Sequence, residues 1–524
     1  MKKNIVLLLI DALRYDRIKH HGHKYNITPN LDKLCKQGYS VNNHFANGCP
    51  TELSFPSIFS STYCLDHGGY NEGIKQRPET LAENLKKNNY QTFGITTAHP
   101  SSSHFGYDRG FDYYENLLDL YQWFRQNLKV RLRAHLDNYQ QQKITKSQML
   151  NIFSTEYKSV LLSTLNYIQE MKNYKVKQNK WDLVKLKKMV EEEIQIIDQS
   201  PEIILEKFLK YDYWYYLYLG KKKINNFKFL LHTFKEKLRD KINNIVNIFP
   251  RRRIYNAEQI FKRFFDILDL KKNKDNPFFF FLHIFDVHES KNFLVYFSFS
   301  FLHRLCKLLI ARRFKFGGFI YDLSLMYVDT QLGLFIKKLE KNKMFENTIL
   351  IVTSDHGQIA GHPKRIGFKS DDLSNFFYDE FIKVPLIIFP YNDEKKKDFY
   401  LSSHLDLAPT ILDIAKLRES QEFYGLSIFK NSDMGERANI IITESNGSGR
   451  CDLLNKPIFI CVRSKKLKII FRYEAKGSMK ERDVFFMEND PDEMINLVDT
   501  FDLKKDRELF YKYASNRLSK ILTY

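Results

Sequence analysis

Two apolar runs in this chain each stop at an aspartate. Residues 5–10 end at Asp11, and residues 348–354, Thr-Ile-Leu-Ile-Val-Thr-Ser, end at Asp355-His356-Gly357. Runs this short and this apolar read as strands buried on both faces, the kind that parallel sheets contain. Each places a carboxylate at the carboxyl end of a strand, where open α/β sheets bind their ligands. Between them in sequence lies Thr51-Glu52-Leu53-Ser54-Phe55-Pro56-Ser57. A hydroxyl there could serve as a nucleophile beside a metal that both aspartates bind.

The chain of 524 residues exceeds a typical single domain, and its hydrophobic fraction of 43% supplies a large core. The net charge of +20, from 82 basic and 62 acidic residues, favours anionic partners: nucleic acid, anionic lipid, or acidic glycans and esters. Charge alone does not choose among these, and no nucleic-acid recognition motif accompanies it, so nucleic acid is not expected. Six cysteines (35, 49, 64, 306, 451 and 461) include no CxxC. That spacing suggests neither a zinc site nor a dithiol redox site, and fits reduced thiols in a cytosolic protein. The first apolar run is shorter than a signal-peptide core and is interrupted by Asp11. No uninterrupted apolar segment is long enough to span a bilayer. A cytoplasmic location, soluble or peripheral to a membrane, is expected.

Residues 1–118 alternate strand and helix. Thr28-Pro29 starts a helix that Gly38 ends, Pro78 starts another, and residues 91–96 form a strand. This rhythm predicts a parallel sheet covered by helices. Residues 119–275 break it: few Gly or Pro, and apolar residues at helical spacing, predict a long helical insertion. Residues 276–435 resume the α/β pattern with an apolar strand at 278–285, a helix at 321–341 and further strands at 347–353 and 384–389. Residues 293–316 mix apolar side chains with Arg304, Lys307, Arg312, Arg313 and Lys315. That composition suits a membrane-interface segment or a lid over the site, and the lid is the preferred reading. Residues 436–524 carry shorter strands at 439–443, 457–462, 467–472 and 484–487 and a final helix from about 504 to 520, a small α+β subdomain.

A sulfate or phosphate ester repels an attacking oxyanion, and a divalent cation removes that repulsion. Asp11, Asp355 and His356 are the ligand types required, suited to Ca²⁺, Mg²⁺ or Mn²⁺. Thr51 precedes what reads as the first turn of a helix, whose positive end would bind the anionic group. The alternative is that Thr51 merely caps that helix. His288, after the apolar strand, has a place to protonate a leaving group. His362 and Lys369 follow along the loop after Asp355, where Lys369 has a place to meet non-bridging oxygens.

The motifs resemble those of the sulfatases of the alkaline phosphatase superfamily. Asp11-Ala12-Leu13-Arg14-Tyr15-Asp16 is similar to the family's first metal-ligand segment, and Thr28-Pro29-Asn30-Leu31-Asp32 to its "TPNLD" helix start. Tyr90-Gln91-Thr92, Arg109-Gly110-Phe111-Asp112 and Ser354-Asp355-His356-Gly357 match "GYxT", "RGFD" and "SDHG". Val384-Pro385-Leu386 and Asp406-Leu407-Ala408-Pro409-Thr410 match "VPL" and "DLAPT", and residues 488–497 match "ENDPxE…NL". The resemblance implies an alkaline-phosphatase-like three-layer α/β sandwich with a mainly parallel sheet. It places Asp11, Asp355 and His356 on metal-ligand positions and His288 on an active-site histidine.

The chain departs from the family where sulfatases carry CxPSR, whose cysteine becomes formylglycine nine residues before a Thr-Gly pair. Ser60-Ser61 occupies that pair, and counting back reaches Thr51. Cys49 lacks the CxPSR continuation, so no formylglycine is expected. The family's second aspartate is Ala12, its CxPSR arginine is Phe55, and its "GKWH" segment is Thr96-Thr97-Ala98-His99. One divalent metal is therefore expected. The reading is a metal-dependent hydrolase of sulfate or phosphate esters with Thr51 as nucleophile. The alternatives are a phospho-group transferase acting on a surface glycan or lipid intermediate, and a binding protein on the same scaffold.

Overall fold

A computed structural model describes residues 2–118, 120–173, 183–211, 255–269, 271, 275–288, 318–358, 377–391, 401–418, 423–430, 439–447, 449–474, 477–500 and 504–523. The chain divides into two compact units. One joins residues 1–117 to residues 254–524, and the other comprises Leu118–Arg253.

The first unit is built on a seven-stranded sheet. Its strands are β1 (Asn4–Ile10), β2 (Tyr39–Val41), β4 (Gln91–Thr96), β5 (Tyr113–Asn116), β6 (Phe278–Ile284), β7 (Thr348–Thr353) and β8 (Leu386–Phe389). Their order is β2-β8-β7-β1-β6-β4-β5. β1 pairs in parallel with β6 on one side and β7 on the other. Only β8 runs against its neighbours. β3 (His44–Phe45) and β9 (Ser402–Ser403) form a separate two-stranded pair.

Side-chain alternation gives the sheet two buried faces. Ile5, Leu7 and Leu9 of β1, with Phe279 and Phe281 of β6, pack on Phe55, Ile58 and Phe59 of helix α2 (Thr51–Ser60), which follows helix α1 (Pro29–Gln37) in the chain. The same core takes in Leu81 and Leu85 of helix α3 (Leu81–Lys87) and Ile411 of helix Leu407–Ile414. On the other face Phe280 meets Phe264, which meets Phe335 of helix Phe319–Lys341. The result is the three-layer α/β sandwich that the motifs imply.

Three local outcomes differ from the sequence reading. The helix expected to start at Pro78 begins at Leu81. Thr80 Oγ1 accepts from the Glu83 N–H at 3.1 Å and the Thr80 N–H donates to Glu83 Oε2 at 2.8 Å, a capping box that fixes the start. Helix Ala257–Leu268, grouped in the sequence reading with the insertion, packs its Phe264 against β6 in the first unit. The last strand of the carboxyl-terminal sheet is longer than expected. Residues 293–316 lie outside the described residues. Among the described residues no helix is long and apolar enough to cross a membrane.

The second unit is helical among its described residues: Leu120–Arg131, Arg133–Gln140, Lys146–Ile152, Lys158–Asn173, Leu183–Gln199 and Pro201–Tyr211. Phe124, Leu128, Met149, Phe153, Tyr157 and Phe208 fill its core. Trp123 stacks on Tyr167 with ring centroids 4.1 Å apart, and its indole N–H donates to Ser163.

Strands β10 (Ile441–Ser445), β11 (Ile458–Arg463), β12 (Leu467–Tyr473) and β13 (Met479–Phe486) form an antiparallel sheet within the first unit. Helix Lys504–Leu522 covers it through Phe510, Ala514, Leu518 and Ile521. Arg517 on that helix is buried. It donates to Glu444 at 2.7 Å and to Asp66 at 2.5 Å, so one guanidinium ties the last helix to β10 and to the loop after α2. Removing one partner of a buried ion pair leaves the others uncompensated, at about 3–5 kcal/mol. Arg517→Met is expected to lower the unfolding free energy in urea by about that amount. A loss below about 1 kcal/mol would show the cluster to be energetically neutral.

Candidate active site

β1, β6 and β7 end side by side, and their ends carry the polar residues. Asp11 follows β1 directly, Asp355 follows β7 after Ser354, His283 lies near the end of β6, and His288 lies four residues beyond it. The α2 helix brings Thr51 to the same place. Pro50, not Thr51, is the N-cap residue, and Thr51 opens the helix. Its hydroxyl is turned away from its own backbone: Thr51 Oγ1 lies 3.3 Å from Asp11 Oδ2 and 3.2 Å from His356 Nε2. Asp11, Thr51, Asp355 and His356, chosen from distant parts of the sequence, thus meet in one buried cluster.

The loop after β7 is held by its own backbone. Asp355 Oδ1 accepts from the N–H groups of His356 at 2.9 Å and Ala12 at 3.1 Å. Ser354 Oγ accepts from the Leu13 N–H and donates to the His356 carbonyl. A Cβ on Gly357 would sit 1.9 Å from the Glu380 carbonyl oxygen, so this turn admits only glycine. His356 Nδ1 lies 2.6 Å from the Gly357 carbonyl. A carbonyl only accepts, so Nδ1 carries the proton and Nε2 faces Thr51 and the aspartates.

The electrostatics of this cluster call for positive charge. Burial, and then the charge of Asp355, hold Asp11 well above the usual carboxylate range. Burial also opposes ionisation of Asp355, but His356 and His283 outweigh it and its carboxyl lies below its ordinary value. Burial opposes protonation of His356, yet Asp355 and Asp11 together push its pKa up. Asp11 Oδ1 and Asp355 Oδ2 are buried and have no hydrogen-bond partner among the described residues. Two desolvated carboxylates with unpartnered oxygens fit a divalent cation, since burying each charge alone costs several kcal/mol. Donor atoms of Asp11, His288 and His356 lie within 4.8 Å of one another, as do those of Asp11, His283 and Asp355.

The remaining candidates are placed differently. His288 is exposed at the rim, stacked on Phe285, with its ring centroid 6.0 Å from that of His356. His99 is buried against His104 and Phe105. His362 and Lys369 lie outside the described residues. Cys49 is buried in an apolar cluster with Phe45 and Phe381, and burial followed by the charge of Asp355 pushes its thiol well up.

Two buried histidines beside the Asp11 and Asp355 strand ends escaped the sequence reading. His283 is the single polar residue of an otherwise apolar strand, in register with Leu9, two residues before Asp11. That position is the available signal, whereas the histidine that the sequence predicts, His288, lies after the strand. His404 carries its Nε2 2.8 Å from the Ser354 carbonyl, so it donates there and supports the loop of Asp355. Burial lowers the His404 pKa to about 4. Below the ordinary histidine pKa of about 6.5 the unfolded chain takes up a proton that the native state refuses. Stability is therefore lost as pH falls from about 6.5 towards 4, with a slope of up to about 1.4 kcal/mol per pH unit. His404→Gln is expected to reduce the slope of the pH dependence of urea unfolding by up to about 1.4 kcal/mol per pH unit, with His21, His44 and His283, whose pKa values burial also lowers, contributing to the remainder. An unchanged slope would contradict a neutral buried His404.

A sulfatase family model matches residues 3–166 and 210–417. An uncharacterized sulfatase of Escherichia coli (strain K12), YidJ, is 26% identical over 196 residues, which are 37% of this chain and 37% of that protein. The chain thus spans little more than a third of that relative's length in the match. A phosphonate monoester hydrolase of Agrobacterium radiobacter superposes with a TM-score of 0.56 at 16% identity, over 100% of this chain and 96% of that one. A 2-O GAG sulfatase superposes with a TM-score of 0.55 at 14% identity, over 99% and 93%. At such identities the superpositions establish the fold alone. The family match runs through the strand ends that carry Asp11 and Asp355, and the chain belongs to the sulfatase family of the alkaline phosphatase superfamily.

Proposed function

We propose that this chain is a metal-dependent hydrolase of anionic esters in which Thr51 is the nucleophile, and that phosphorus esters are its better substrates. The observation that carries this reading is the Thr51 hydroxyl set between Asp11 Oδ2 and His356 Nε2 at the first residue of α2. A divalent cation held by Asp11, Asp355 and His356 would neutralise ester oxygens and acidify the hydroxyl. Asp11 Oδ2, 3.3 Å from the Thr51 hydroxyl, lies where it accepts the Thr51 proton. The positive end of α2 favours the anionic group at Thr51. The Thr51 oxygen bonds to phosphorus or sulfur, the ester oxygen departs, and His288 at the open rim has the position to protonate it. Water then attacks the covalent ester and frees Thr51.

The choice of phosphorus follows from the nucleophile. A hydrated formylglycine expels sulfate by reverting to an aldehyde, whereas a threonine ester has no second hydroxyl and must be cleaved at the central atom. The buried apolar setting of Cys49 supports Thr51 as the reacting side chain. That a protein of the same fold is a phosphonate monoester hydrolase is consistent with this choice.

Turnover of an aryl sulfate, an aryl phosphate monoester and a phosphodiester, each with Mn²⁺, Mg²⁺ or Ca²⁺, tests the reading. A phosphorus ester is expected to be preferred, with Thr51→Ala lowering kcat by about 10³-fold or more. Undiminished turnover in Thr51→Ala would contradict it. Product formed only after a glycan or lipid hydroxyl is added would make the second step a transfer.

A further inference from the structure

The polar groups around Asp11 leave one imidazole that the proposed mechanism does not use. His283 is fully buried on β6, on the face that packs against Phe55 of α2. Its Nδ1 lies 3.3 Å from Thr96 Oγ1. That hydroxyl has the Ala98 carbonyl at 3.3 Å and Ser101 Oγ as outlets for its own proton, so it can accept the Nδ1 proton. This tautomer puts a lone pair on Nε2. Nε2 lies 3.2 Å from Asp11 Oδ2 yet makes no hydrogen bond there. An imidazole lone pair is thus set against a carboxylate oxygen inside the core, beside the unpartnered Asp11 Oδ1 and Asp355 Oδ2.

We infer that His283 Nε2 is a metal ligand in its own right, completing with Asp11 and Asp355 a cation position whose donors lie within 4.8 Å of one another. The inference rests on the proposed metal-dependent reading and deepens it. A cation at that point turns three unsatisfied buried groups into ligands. The Thr96 hydroxyl serves as the outer partner that fixes the ring, as metal-bound histidines require. A nitrogen donor also sets the metal. Ca²⁺ and Mg²⁺ take oxygen ligands, whereas imidazole favours first-row transition ions, so Mn²⁺ or Zn²⁺ is selected over Ca²⁺ and Mg²⁺. Cation choice would then rest on two imidazoles, His356 on the loop after β7 and His283 inside a strand, with His283 adding the second nitrogen donor.

Calorimetric titration of the full chain with Mn²⁺ and with Ca²⁺ tests this, comparing wild type, His283→Gln and Asp355→Asn. The expected result is tighter binding of Mn²⁺ than Ca²⁺ by the wild type. His283→Gln should lose at least about 10-fold in Mn²⁺ affinity while Ca²⁺ binding, served by the amide oxygen, changes little. Because a buried substitution can fail to fold, crystals of the wild type grown with Mn²⁺ supply a second readout. An anomalous peak within about 2.0–2.3 Å of His283 Nε2 is expected. A peak bonded to Asp11 and Asp355 but not to His283, or an unaltered Mn²⁺ to Ca²⁺ preference in His283→Gln, would overturn the inference and leave the ester-hydrolase reading standing. A wild type that binds neither ion, no differently from Asp355→Asn, would overturn both.

Discussion

Repulsion between Asp11 and Asp355 is the constraint around which this site is arranged. Two carboxylates without solvent at the ends of adjacent strands cannot both ionise unless positive charge accompanies them. The parallel pairing of β1 with β7 creates the proximity, since Leu9 lies opposite Thr353 and both strands then end. The backbone meets part of the demand through the Ala12 and His356 N–H groups on Asp355 Oδ1. Ala12 reaches that geometry with φ of 59°, a left-handed conformation that a non-glycine residue adopts at some cost. The oxygens left over, with the imidazoles of His356 and His283 beside them, define where a cation would be held.

The family motifs away from the site brace the strands that present it. Asp112 Oδ2 accepts from the Thr92 N–H at 2.9 Å, and Arg109 reaches Glu83 on α3, so "RGFD" locks β4 to its neighbouring helix. Gly110 is required there because a Cβ would sit 2.2 Å from the Glu83 nitrogen. Asp329 accepts from the Asn30 and Leu31 N–H groups and so caps the helix Pro29–Gln37. In the carboxyl-terminal sheet, buried Lys468 pairs with Asp379, at 2.6 Å, and with Glu493 of the "ENDPxE" motif. Each motif thus supplies a charge or a hydrogen bond to backbone that packing alone would leave unsatisfied.

Whereas β4, Gln91–Thr96, is read from its place in the alternating strand–helix rhythm, the strands that sequence marks most sharply are those whose residues are apolar on both faces. β1, β6 and β7 are such runs, and their ends located Asp11 and Asp355. Short elements were not readable. β2, β3 and β9 have three, two and two residues, and their form depends on the partners that hold them. β13 was expected only from residue 484, because Lys480-Glu481-Arg482-Asp483 mask its first half, where the pairing with β12 and not apolarity makes the strand. Within the site, sequence found the residues that follow strands and the hydroxyl of Thr51 that opens α2. It missed His283 because a histidine inside a Phe-rich strand reads as core until β1 is known to lie beside it.

The central claim is that the buried carboxylate pair is stabilised by a bound cation. The most direct measurement is the thermal midpoint of the chain before and after chelation of divalent ions, with the metal content determined in parallel. Stoichiometric metal before chelation, a fall of several degrees after it, and recovery on adding Mn²⁺ are expected, because a ligand bound only by the native state stabilises that state. A midpoint unmoved by chelator and by added Mn²⁺, Mg²⁺ or Ca²⁺ would contradict the claim and leave protonation of Asp11 or His356 as what balances the pair.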